Sequence, residues 1–146
     1  MKNIYFLCLV LAFSFLFITS CKGVGDKICF EAKCFNIEIV SKPDELMRGL
    51  QFRKELPENS GMLFVFSYND RMSFWMKDTF IPLDMIWLDD LRKVVHIEKD
   101  VPTCKEDPCP SYSPTKAARY VLELNAGSAD KHKIRIGDQA KFDVRR

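Results

Sequence analysis

"RMSFWMKDTFIPLDMIWL", Arg71 to Leu88, is the stretch on which the fold turns. Seven of its eighteen residues are Phe, Trp or Met, yet Lys77, Asp78 and Asp84 sit among them. Pro82 divides it. Ile81, directly before the proline, is pushed to extended backbone rather than helix. The run therefore reads as two strands broken at Thr79 to Pro82. Side chains alternate across a strand, so Phe74 and Met76 share one face of the first, and Trp75 and Lys77 the other. The second, "LDMIWLD", is apolar on both faces, with Asp84 on the same face as Ile86 and Leu88. A strand apolar on both sides is a buried strand.

Outward from this stretch the same period recurs. "MLFVF" (Met62 to Phe66) is a second two-faced strand, followed by a turn at "SYND". "CFNIEIV" alternates cleanly, with Phe35, Ile37 and Ile39 on one face. "KVVHIEK" reads as the hairpin partner of "LDMIWLD" across the turn "DDLR". "RYVLELN" places Tyr120, Leu122 and Leu124 on one face and Val121 and Glu123 on the other. "IGDQAKFDV" closes the chain with Ala140, Phe142 and Val144 inward. The period changes to helical only in "SKPDELMRGLQFR", where Ser41 is the expected cap, Pro43 fits the first turn and Gly49 marks the end. "AGSADKH" is a second short helix candidate. The fold class expected is α+β, mainly β. It is a compact curled antiparallel sheet or small barrel of about seven short strands, with one or two short helices.

Several of these segments occur as ordered motifs: "RGL" (Arg48 to Leu50) with Arg53 nearby, "GMLFVF" (Gly61 to Phe66), "FWMKDTFIPLDMIWLD" (Phe74 to Asp89), "YVLELNAG" (Tyr120 to Gly127) and "IGD" (Ile136 to Asp138). In this order and spacing the chain resembles the domain-of-unknown-function 192 family across nearly all of Ile37 to Val144. Gln51 and Phe52, after the "GL", depart mildly from the family pattern. The resemblance implies a small β-rich domain with a short helix, often exported. It implies no established reaction.

The N-terminus speaks to address. Lys2 is followed by an apolar run from Ile4 to Ile18, broken only by Ser14. That suits a signal h-region better than a bilayer span of about 20 residues. Ile18-Thr19-Ser20-Cys21 then reads as a lipobox. Cys21 is the expected lipidation site, taking a diacylglycerol on its thiol and an acyl chain such as palmitate on its freed amine. Several chains anchor stably where one would not. The organisation expected is a lipoprotein-type signal peptide over 1–20, a lipidated Cys, tether and first hairpin over 21–33, and one β-rich domain over 34–146. The localisation expected is the bacterial cell envelope. Lys22 after the Cys leans toward the outer membrane where one exists. The partners expected are the membrane, through the lipid anchor, and a small molecule or envelope protein. With 22 basic and 20 acidic residues there is no basic footprint for nucleic acid.

Four cysteines remain beyond the signal and lipobox: Cys29, Cys34, Cys104 and Cys109. Export favours disulfides, and four cysteines allow about three connectivities. On one straight strand Cys29 and Cys34 would lie about 16 Å apart, beyond disulfide reach. Across a hairpin loop at Glu31-Ala32 they would face each other at about 4.5 Å. Cys104 and Cys109 bracket the Asp107-Pro108 turn signal. Two local bridges are favoured. The rival is a single four-Cys zinc site, whose spacing is at the long end for such pairs. No cofactor motif and no metal-ligand spacing is otherwise visible.

The resemblance maps the family's polar motif positions onto Arg48, Lys77, Asp84 and Glu123. Charges inside apolar strands must pair or face water. In one reading Arg48 ties the helix to a strand through Asp84 or Glu123. In another, Trp75 and Lys77 line a concave apolar pocket rimmed by these charges, the default form of a ligand site. A hydrolase-like pair of Asp84 and Glu123 with Lys77 is the enzymatic alternative. As a glycosidase-like pair it would need a carboxyl separation of about 5–5.5 Å to be retaining or about 6.5–9.5 Å to be inverting. A hydrolytic triad lacks its parts, because His96 and His132 are the sole histidines and neither sits by a nucleophile. The function expected is a binding or accessory module of the envelope, with an enzyme or a purely structural protein as alternatives.

Overall fold

A computed structural model describes residues 26–31 and 33–144. Cys21 and the signal and lipobox expectations lie outside the described residues.

Among the described residues nine strands and two short helices follow in order. They are β1 (Lys27–Phe30), β2 (Lys33–Val40), α1 (Pro43–Arg48), β3 (Ser60–Asp70), β4 (Phe74–Trp75), β5 (Leu83–Leu88), β6 (Val94–Val101), β7 (Ser111–Tyr112), β8 (Ala118–Asn125), α2 (Ser128–Lys131) and β9 (Ala140–Lys141). Seven strands form one sheet in the order β6-β5-β8-β3-β2-β1-β9, and β4 pairs with β7 apart from it. Only β2 and β3 run parallel, which is why the connection between them carries α1. The remaining ladders are antiparallel. The sheet curls into a half-barrel, and its two ends touch at the bridge Lys93↔Gln139. This is the mainly β, curled architecture the alternation implies.

The sheet is apolar on both faces because its central strands are. The inner face collects Ile28, Phe35, Leu63, Ile86, Leu122 and Phe142, drawn from strands at both ends of the curl. The outer face collects Met62, Phe64, Met85, Trp87 and Val121, roofed by Leu50, Leu56, Met76 and Ile81 from the connections. All six residues of β5 are buried. Buried apolar surface of this kind stabilises by about 25 cal/mol per Å².

Several local readings change. "SYND" is not a turn: β3 runs on to Asp70, with a register irregularity between Val65 and Asp70, because Asp70 still pairs with Ala118 of β8. The strand expected around Phe74 shrinks to two residues, since its partner is not the large sheet but Ser111-Tyr112, inside the Pro-rich connection. The closing strand shrinks likewise to Ala140-Lys141. Ser41 is not the helix cap. Lys42 takes that position, and the Glu45 carboxylate accepts from both backbone N–H groups, Ser41 at 3.4 Å and Lys42 at 3.3 Å. Both expected bridges form: Cys29–Cys34, with Cα atoms 4.0 Å apart, and Cys104–Cys109, at 5.7 Å. The first staples the β1–β2 hairpin, where Phe30 pairs with Lys33. With all four sulfurs so paired, the four-Cys zinc site is excluded.

Candidate ligand pocket

The pocket is built on the outer face, where α1 ends. Gly49 turns the chain out of the helix at φ 47°, a conformation that favours glycine. A Cβ there would sit 3.0 Å from the Phe64 ring. The "RGL" motif thus lets the helix end press onto β3. Opposite this wall stands β4. Phe74 meets Phe64, Trp87 and Phe66 edge-on, with centroids 4.9, 5.9 and 6.3 Å apart. The Trp87 indole N–H donates to the Met72 carbonyl at 3.0 Å and holds the segment leading into β4. Between the walls lies a cavity of about 300 Å³, lined by Leu46 to Gln51, Phe64, Phe66, Met72 to Trp75, Thr79 and Glu123. Its mouth carries exposed apolar groups: Met47 is 79% exposed and Trp75 54%.

Glu123 lies at its base. It sits in β8 between Met62 of β3 and Met85 of β5, and only 4% of it is exposed. Gly61, which pairs with Leu124, lets β8 lie close to β3: a Cβ there would come within 2.6 Å of the Glu123 backbone oxygen. Among the described residues no side chain or N–H hydrogen-bonds its carboxyl. Burial alone pushes its pKa up to about 8, because a charge is costly to hold away from water. Near neutral pH it is therefore mostly the uncharged acid, able to donate one hydrogen bond and accept another.

The five residues expected to cluster go three ways. Arg48, Trp75 and Glu123 line the one cavity. Arg48 is exposed at the rim and makes no ion pair among the described residues. Lys77 turns out of the cavity, bonds Asp107 at 3.1 Å and lies 5.8 Å over the Trp75 ring. Asp84 is on the other side of the sheet. It pairs in register with Leu124, so its side chain points to the inner face while Glu123 points to the outer. There its carboxyl accepts the backbone N–H groups of Asp100 (2.9 Å), Gly127 (3.1 Å) and Ala129 (2.7 Å). The Asp84–Glu123 pair that a hydrolase of this kind would need is not assembled, because a sheet separates the two carboxyls. Nor does Arg48 tie the helix to either of them. His96 bonds Glu98 at 2.9 Å and packs against Trp87.

Sequence reading missed the part played by Thr79, Phe64 and Phe74. Thr79, in the strand break, is buried at the cavity wall. The two Phe rings read as core. Among the described residues no group of three or more His, Cys, Asp or Glu could hold a metal, and no helix is long and apolar enough to cross a membrane.

Fold and site together define a curled-sheet domain with a lateral apolar cavity and one unpartnered acid. The family model described as "Uncharacterized ACR" matches residues 27–142, and the chain belongs to this domain-of-unknown-function 192 family. Among solved structures the chain is similar to a protein of unknown function from Novosphingobium aromaticivorans. The two are 30% identical with a TM-score of 0.72, over 80% of this chain and 82% of that one. It also shares its fold with a Sinorhizobium meliloti protein provisionally named a transcription regulator, at 24% identity and a TM-score of 0.74, over 80% and 92% of the two chains. No curated protein matches the sequence.

Proposed function

We propose that this protein is an envelope lipoprotein whose domain binds a small ligand, or a short partner segment, in the cavity between α1 and β4. The observation that carries the reading is Glu123. Its carboxyl has no hydrogen-bond partner among the described residues, and its small remaining exposure opens onto the cavity rather than the core. A purely structural acid would be paired, as Asp84 is. The apolar walls, the exposed Trp75 and Met47 at the mouth, and one polar group at the base are the usual composition of a ligand site. The lipobox ending at Cys21 supplies the anchor, a short tether leads from it to β1 at Lys27, and the outer membrane is the favoured address.

Trp75 stands at the mouth, whereas Trp87 is buried behind Phe74, so comparison with Trp75→Ala separates their contributions to ligand-induced fluorescence changes. Binding predicts that members of a sugar, lipid and peptidoglycan-fragment panel quench this fluorescence and raise the melting temperature. Trp75→Ala should remove the quenching without unfolding the domain. If no panel member shifts the melting temperature, the binding reading fails. The anchor has a separate test: Cys21→Ser should abolish acylation and membrane retention, and retention unchanged would sink it.

A further inference from the structure

We propose that the cavity recognises a primary ammonium group on an apolar chain, with the ammonium seated on Glu123. This deepens the binding reading and rests on it.

Two charged residues line the cavity, and they are separated in depth. Glu123 is buried at the base and Arg48 is exposed at the rim. A ligand entering between them therefore meets an acid inside and a base outside. An anion finds at the base a single O–H donor, which it loses once Glu123 ionises. A cation does, because it brings the counter-charge that the carboxyl lacks among the described residues. The walls favour the same sign. Aromatic rings attract cations through their negative faces, and Trp75 already holds the Lys77 ammonium 5.8 Å over its ring. Phe64, Phe66 and Phe74 continue the aromatic lining inward. A chain of a few methylenes would cover these rings, while the far end of the ligand faces Arg48.

The chemistry is a proton balance. An ammonium pairs with the ionised carboxylate, whereas the free site below about pH 8 holds the acid. Binding there must release one proton to solvent, so affinity for the ammonium falls about tenfold for each pH unit below that value. A neutral ligand of the same shape shows no such slope.

The test uses the full chain and four probes: butylammonium, 1-butanol, butanoate and Nα-acetyl-lysine amide. Fluorescence titration at several pH values between about 6 and 9 reads affinity. The expected result is butylammonium binding about tenfold or more tighter than 1-butanol near pH 8. Its affinity should weaken toward pH 6, and the preference should be lost in Glu123→Gln. Glu123→Met, checked for a cooperative melt, gives the same answer should Gln bind the amine weakly through its carbonyl. Binding of the lysine amide as well would point to a partner's lysine, and binding of butylammonium alone to a free amine. Equal binding of 1-butanol, tighter binding of butanoate, or an unchanged preference in Glu123→Gln overturns the proposal. No binding by any of the four also overturns it. In that case a melting shift from another member of the wider panel would leave the general binding reading standing.

Discussion

Asp84 and Glu123 are two buried carboxyls on adjacent central strands, one register position apart, with opposite surroundings. Asp84 faces the inside of the curl, where the end of β6 and the start of α2 deliver three backbone N–H groups to its oxygens. Those amides have no other acceptor among the described residues, so one side chain closes three gaps in the backbone's hydrogen bonding. Glu123 faces outward, flanked by Met62 and Met85, and nothing among the described residues satisfies it. The difference teaches how to read a buried acid. Burial alone does not mark a site; burial without a partner, beside a cavity, does.

The largest effect should come from breaking the satisfied side of this comparison. Asp84→Ala leaves one buried and two part-buried donors without their acceptor and should destabilise the domain by about 3–5 kcal/mol, with no change in ligand affinity for protein that remains folded. Chemical denaturation checks the first part. A loss below about 1 kcal/mol would mean that water or the loops can replace the carboxyl.

Glu123→Gln should act in the opposite direction. The pKa is raised on folding, from an ordinary 4.5 to about 8. Between these values the folded state holds a proton that the unfolded state has lost, so stability falls as pH rises. Removing the titration should therefore stabilise the domain by about 3 kcal/mol near pH 7, at about 1.4 kcal/mol per unit. It should change little at pH 4, where both states are protonated. Denaturant midpoints of both proteins at the two pH values measure this. A mutant that is less stable at both would show that Glu123 is paired after all.

The smallest effect belongs to Lys77. Its contact with Asp107 is exposed, and exposed pairs contribute about 0–1 kcal/mol. Lys77→Ala should leave the melting temperature within a degree or two and ligand affinity unchanged. A marked loss of binding would bring Lys77 into the site and blur the division between cavity and surface.

How far the residues announced this arrangement varies with the range of the interaction involved. Alternation along Phe35 to Ile39, and the two-faced runs at Met62 and Leu83, foretold the strands and their burial, because side-chain direction in a strand follows from the local backbone. The break at Ile81-Pro82 was legible for the same reason, and so was the helix end at Gly49. The opposed faces of Asp84 and Glu123 were not. Each strand's alternation places a residue relative to its own neighbours, but which face of one strand meets which face of another depends on register. The Cys bridges stood between these cases. Their short separations made local pairing feasible, and the chain reversals that bring the sulfurs together completed it.

Composition, periodicity and motif order were thus enough for a mainly β domain of this family with a short helix and local disulfides. They also put four charged residues in view. Folding in three dimensions sorted those four: it gave Asp84 to the backbone, turned Lys77 toward Asp107, and left Arg48 and Glu123 at the two ends of one cavity. The physical reason is that pairing and desolvation depend on distances across the sheet between residues far apart in the chain, and no local pattern carries those distances.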